Sequence, residues 1–80
     1  MTTEIQTAPM STLNVRKQGK EFLLRCSTYT VARFATRESA ELVLALAIYR
    51  ASLMSDGEYS AVGPYRIAQN AEEEFLDNIE

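Results

Sequence analysis

Eighty residues, 46% of them hydrophobic and 24% charged, have the composition of one small globular domain rather than of a disordered chain. The chain has no histidine and a single cysteine, Cys26, which excludes imidazole bases, His-ligated metals, internal disulfides and thiolate metal clusters. Its net charge is −3, and its longest apolar run, Leu42 to Tyr49, is eight residues, against the roughly 20 that a membrane-spanning helix needs.

Residues 1–12 mix Thr, Ser, Gln and Pro, with Ile5 and Met10 as the only bulky apolar groups, which is the composition of a flexible arm. Met1-Thr2-Thr3-Glu4 is not basic and no apolar signal core follows it, so a soluble, cytoplasmic protein is expected. A single α+β domain is expected over 13–80. From Leu13 the apolar period becomes two: Leu13 and Val15 alternate with Asn14 and Arg16, and Phe22, Leu24 and Cys26 with Glu21, Leu23 and Arg25. A two-residue turn at Gln18-Gly19 would join these runs as a hairpin, pairing Arg16 with Glu21, Val15 with Phe22, and Leu13 with Leu24. Tyr29 to Ala35 is rich in β-formers and predicts a third strand, completing an antiparallel meander.

Thr36 is placed to cap a helix that carries Glu38 in its first turn, runs to about Met54 and stops at Ser55-Asp56-Gly57. Ala40, Val43, Leu44, Ala47, Ala51 and Met54 form one face of this helix, suited to close packing on a sheet. Leu42, Leu46 and Leu53 form a second stripe, with Tyr49 and Arg50 at its edges, which one small sheet cannot also cover. Beyond the Gly63-Pro64 break, Tyr65 to Ala68 has two readings. It is a short fourth strand followed by a helix from about 71, as the capping-box pattern Asn70-Ala71-Glu72-Glu73 favours, or one helix runs from Pro64 onward. Phe75, Leu76 and Ile79 would anchor the closing helix and could fold back over the leucine stripe. The expected architecture is a three- or four-stranded antiparallel sheet on one main helix, with a short C-terminal helix.

Catalytic patterns are lacking. The three glycines stand far apart, no nucleophile-base arrangement occurs, and Cys26 falls on the inward register with Phe22 and Leu24 as a small core residue. Glu73 and Asp77 share a helical face and could both touch a divalent cation, but a closed site needs more fixed ligands, so no metal and no cofactor is expected. Charge is more informative. Between 16 and 38 six bases (Arg16, Lys17, Lys20, Arg25, Arg33, Arg37) face two acids, a net of +4. From residue 72 onward Glu72, Glu73, Glu74, Asp77 and Glu80 meet no base, a net of −5. The chain is electrically two-ended, and either end could steer a partner. The hairpin bases Arg16, Lys17, Lys20, Arg25 and Arg33 would suit phosphates. A pI of about 4.9 and the lack of outward aromatics argue against direct nucleic-acid binding. The acids and the stripe Leu42, Leu46 and Leu53 point instead to a protein partner, with a homodimer as an alternative.

The segment Tyr29-Thr-Val-Ala-Arg-Phe-Ala-Thr-Arg-Glu-Ser-Ala-Glu-Leu, residues 29–42, runs from a strand straight into a capped helix within a short acidic chain. In this format the chain resembles the phage-encoded anti-CRISPR proteins of the type I class. The resemblance implies a non-enzymatic inhibitor that binds a Cascade-type complex in the cytoplasm of an infected or lysogenic bacterial host. It would block target-DNA binding or nuclease recruitment. These proteins share no motif, so no site residue carries over. A nucleic-acid-binding regulator and a dimeric accessory subunit are the alternatives.

Overall fold

A computed structural model describes residues 12–78; the arm expected over 1–12, apart from Thr12, lies outside the described residues, as do Ile79 and Glu80. Three strands, β1 (Leu13–Gln18), β2 (Glu21–Cys26) and β3 (Tyr29–Phe34), form an antiparallel sheet in the order β1-β2-β3. Two helices follow, α1 (Arg37–Ser52) and α2 (Asp56–Asn78), and the class is α+β.

The first hairpin turns one residue later than the sequence suggests. Gly19 and Lys20 are its two central residues, so Gln18 pairs with Glu21, Val15 with Leu24, and Leu13 with Cys26. Gly19 has φ 63° while Lys20 does not share a positive φ, the pattern of a type II′ turn, which wants glycine first. Moving the turn by one residue moves the pairing by two, so every side chain keeps its face. The second hairpin turns through Ser27 and Thr28, and one extra β3 residue at Val31 shifts the register between Leu24–Ala32 and Arg25–Thr30.

α1 begins as expected. Thr36 is extended, and its hydroxyl accepts a 3.1 Å bond from the Ser39 amide. It ends at Ser52, two residues earlier than the sequence suggests, because the Leu53 and Met54 amides tighten back onto the Arg50 and Ala51 carbonyls. Ser55-Asp56-Gly57 is then a helix start rather than a plain stop. The Ser55 amide donates to Glu58 Oε1 at 3.0 Å and the Glu58 amide donates to Ser55 Oγ at 3.2 Å, a complete capping box.

Residues 65–68 are helical, so there is no fourth strand among the described residues, and the closing helix is not short. Asn70, read as a cap from its Glu73 partner, lies within the helix, and the capping box stands instead at Ser55 and Glu58. A kink at Gly63 (φ 84°, ψ 160°) divides α2 into a short arm, 56–62, and a main limb that starts at Pro64. Proline suits the first helical position because its missing amide is one the helix leaves unpaired there.

Both helices pack on one face of the sheet, α1 against all three strands and α2 against α1 and β3. Leu13, Leu24, Cys26, Ala32 and Phe34 meet Ala40, Val43 and Ala47 of α1 and Ile67, Ala68 and Ala71 of α2 in one core. Alanines fully buried on both helices let the two backbones approach closely, while Leu24, Ile67 and Val43 supply most of the enclosed bulk. Phe75 stands edge-on to Phe34 with ring centroids 6.2 Å apart.

Candidate protein-interaction surfaces

Helix α1 presents its second apolar stripe away from the core. Leu42, Tyr49 and Leu53 are 59%, 60% and 68% exposed, and Leu46 between them is half-buried. At 100° per residue these four fall within about 60° of arc and extend about 16 Å along the helix. Tyr49 is therefore a full member of the stripe, although its polar hydroxyl suggests an edge position. Phe75 turns inward to Phe34, and Leu76 is 46% exposed, so the stripe is not closed by these two as the sequence allows; Ile79 lies outside the described residues.

The acids of α2 divide. Glu74 accepts from Arg50 Nε at 3.1 Å and Nη2 at 2.6 Å, tying α2 to α1. Glu72 is half-buried, whereas Glu73 and Asp77, one turn apart, are exposed on the outer side of the helix layer. Glu80 lies outside the described residues. Among the described residues no group of three or more Cys, Asp or Glu is close enough to hold a metal ion.

The opposite side of the molecule is basic. Arg16, Leu23 and Arg33 stand abreast on the three strands, facing away from the helices, with Arg25 further along β2. Leu23 is only 4% exposed yet stands apart from the main core. Its cross-strand neighbours Arg16 and Arg33 have aliphatic stems long enough to cover it. Arg33 pairs with Glu21 at 3.3 Å, and Arg25 Nη2 donates to the Thr28 carbonyl at 2.8 Å, bracing the β2–β3 turn. Lys17 and Lys20 flank the tip of the first hairpin. No aromatic side chain shares this outer face among the described residues, since Phe22, Tyr29 and Phe34 take the inner register. Arg37 leaves the basic face altogether, stacking 5.1 Å over the Phe22 ring and pairing with Glu41 at 3.6 Å.

The three ion pairs seen among the described residues join sheet to sheet, α1 to itself and α1 to α2. None joins the acids of α2 to the bases of the sheet, so the two-ended charge persists in the fold. A third surface feature is a shallow apolar recess of about 480 Å³ between the β2–β3 turn and the α2 kink, lined by Cys26, Ser27, Tyr29, Val62, Pro64 and Tyr65. Tyr29 and Tyr65 meet edge-on there, 6.5 Å apart. Burial, and after it the nearby Cys26, pushes the Tyr59 phenol above its ordinary value of 10.0. No helix among the described residues is long and apolar enough to cross a membrane.

No family model, curated protein or solved structure matches this chain.

Proposed function

We propose that this chain is a non-enzymatic protein that acts by contact, and that its target is a Cascade-type CRISPR effector complex which it inhibits. The observation that carries a role in protein contact is the bare stripe of α1. The fold has already used its sheet, α2 and the inner face of α1 to build one core, and Leu42, Tyr49 and Leu53 still face water. The choice of target rests on the type I anti-CRISPR resemblance. The exposed acids Glu73 and Asp77 suit it, because a carboxylate ridge can occupy a basic groove meant for nucleic-acid phosphates.

Mixing the chain with a purified Cascade-type complex and measuring target-DNA binding tests this. Stoichiometric co-purification and loss of DNA binding are expected, with at least a tenfold weaker effect for Glu73→Lys combined with Asp77→Lys, about 1.4 kcal/mol or more. Absence of a complex, with DNA binding unchanged, would reject the effector as target.

A further inference from the structure

We propose that the outer face of the sheet binds the phosphate backbone of a nucleic-acid duplex. This goes beyond the functional proposal, which uses the helix layer and leaves the sheet without a role. Arg16, Leu23 and Arg33 stand abreast on β1, β2 and β3, and Arg25 follows Leu23 two residues along β2. Two strand spacings set Arg16 and Arg33 about 9.5 Å apart at the backbone, with Arg25 about 7 Å further along. Lys17 and Lys20, both exposed, extend the positive charge to the tip of the first hairpin. Glu21 is the one acid in the sheet. Its 3.3 Å contact with Arg33 joins two well-exposed side chains, so it yields readily to a phosphate. Arg16, Lys17 and Lys20 form no ion pair with any described residue.

What the face lacks identifies the partner. A protein interface needs an apolar centre, and here the one large apolar side chain in the outward register, Leu23, is 4% exposed. Sequence-independent binding of single strands draws on aromatic rings that stack bases, and Phe22, Tyr29 and Phe34 all take the inner register. Charge and hydrogen-bond donors remain, which is the chemistry that holds phosphates and reads no sequence. A duplex presents phosphates most densely, one per about 1.7 Å of its axis. The whole-chain charge of −3 does not oppose this contact, because it averages two layers. The three strands hold five bases against one acid, a net of +4, while residues 35–78 hold three bases against eight acids, a net of −5. Glu73 and Asp77 lie on the outer side of the helix layer. A helix diameter of about 10 Å separates them from the sheet, and that is already a Debye length at about 0.1 M salt.

Fluorescence anisotropy of a labelled DNA duplex of about 20 base pairs, titrated with the whole chain, tests this. About four phosphate contacts give a slope of log K against log salt near −3.6, a loss of roughly a hundredfold in affinity between about 50 and about 200 mM salt. Arg16→Gln with Arg33→Gln is expected to weaken binding at least tenfold at about 50 mM salt and to reduce the slope by about 1.8. Lys17→Gln with Lys20→Gln, at the exposed hairpin tip, is expected to do the same, and it decides the matter if the first pair alters the circular dichroism spectrum. No binding at about 50 mM salt with about 1 mM chain, or unchanged affinity in a folded double variant, would overturn the proposal. So would a single strand that binds more tightly than the duplex, or a poly-glutamate peptide that binds as tightly, which would assign the face to an acidic protein. The measurement needs no effector complex. A chain that inhibits one but binds no duplex defeats only this proposal, and a chain that binds duplex but no effector complex defeats only the functional one.

Discussion

Ser27 holds φ at 58°, the left-handed region where a side chain costs on the order of 1 kcal/mol. It occupies the first central position of the β2–β3 turn, the same place that Gly19 fills in the other hairpin. Its contribution comes from the backbone, since its amide donates to the Thr12 carbonyl at 3.0 Å, a bond any residue except proline could make. Ser27→Gly is therefore expected to stabilise the chain by about 0.5–1 kcal/mol, read as a higher urea midpoint, while Ser27→Ala brings no gain. A loss with glycine would show that the serine hydroxyl matters at the rim of the apolar recess. Nothing in Ser27-Thr28 marks the strain in advance, because serine is common in turns of every type. The strain arises from the two-residue loop that the pairing of Cys26 with Tyr29 imposes.

At the scale of elements, the three strands and α1 are legible because their periods are long enough to be unambiguous and Thr36 is a strong cap. The register slip at Gly19 is invisible to face patterning, since turns one residue apart bury the same side chains. The last quarter is harder to read for a different reason. Tyr65 to Ala68 is too short for strand and helix periods to differ, and Asn70 with Glu73 imitates a capping box whose true counterpart, Ser55 with Glu58, follows α1 at once. Gly63-Pro64 does break the chain, but between two helical pieces rather than between a strand and a helix. With φ 84° and ψ 160°, Gly63 sits in a region that is essentially glycine's alone, and it precedes a proline that already disfavours helical geometry there. A Cβ at this position would meet no atom within 4 Å, so the cost of substitution is one of backbone alone. Gly63→Ala is expected to lose about 1–3 kcal/mol in chemical denaturation, and a loss below about half a kilocalorie would mean that the kink relaxes.

The molecule as a whole is two layers with opposite charge, and its cooperativity rests on how α2 closes the core. Of the acidic residues named as a site, Glu74 became a strut to Arg50, while Glu73 and Asp77 stayed free of such pairing. That division depends on where α2 crosses α1, which no local pattern encodes. The stripe of α1 was legible because its excess over what a three-stranded sheet can bury is a matter of counting faces. The burial of Leu23 between Arg16 and Arg33 was not, because it requires three strands in register. The core itself is thin. Alanines contribute contact but little volume, so Ile67 alone among α2's fully buried residues brings a large side chain into it. Ile67→Ala removes that bulk where neither backbone can easily collapse further, and is expected to cost about 2–5 kcal/mol. For a domain of this size that is a large share of a total near the low end of roughly 5–15 kcal/mol. Among the described residues α2 alone closes that side of the core, so loss of α2 should carry the rest with it. Helical circular dichroism and tyrosine fluorescence should therefore report one coincident urea transition, moved to lower concentration. If the helical signal fell in two steps, α2 would be a separable appendage, and the sheet with α1 would be the cooperative unit.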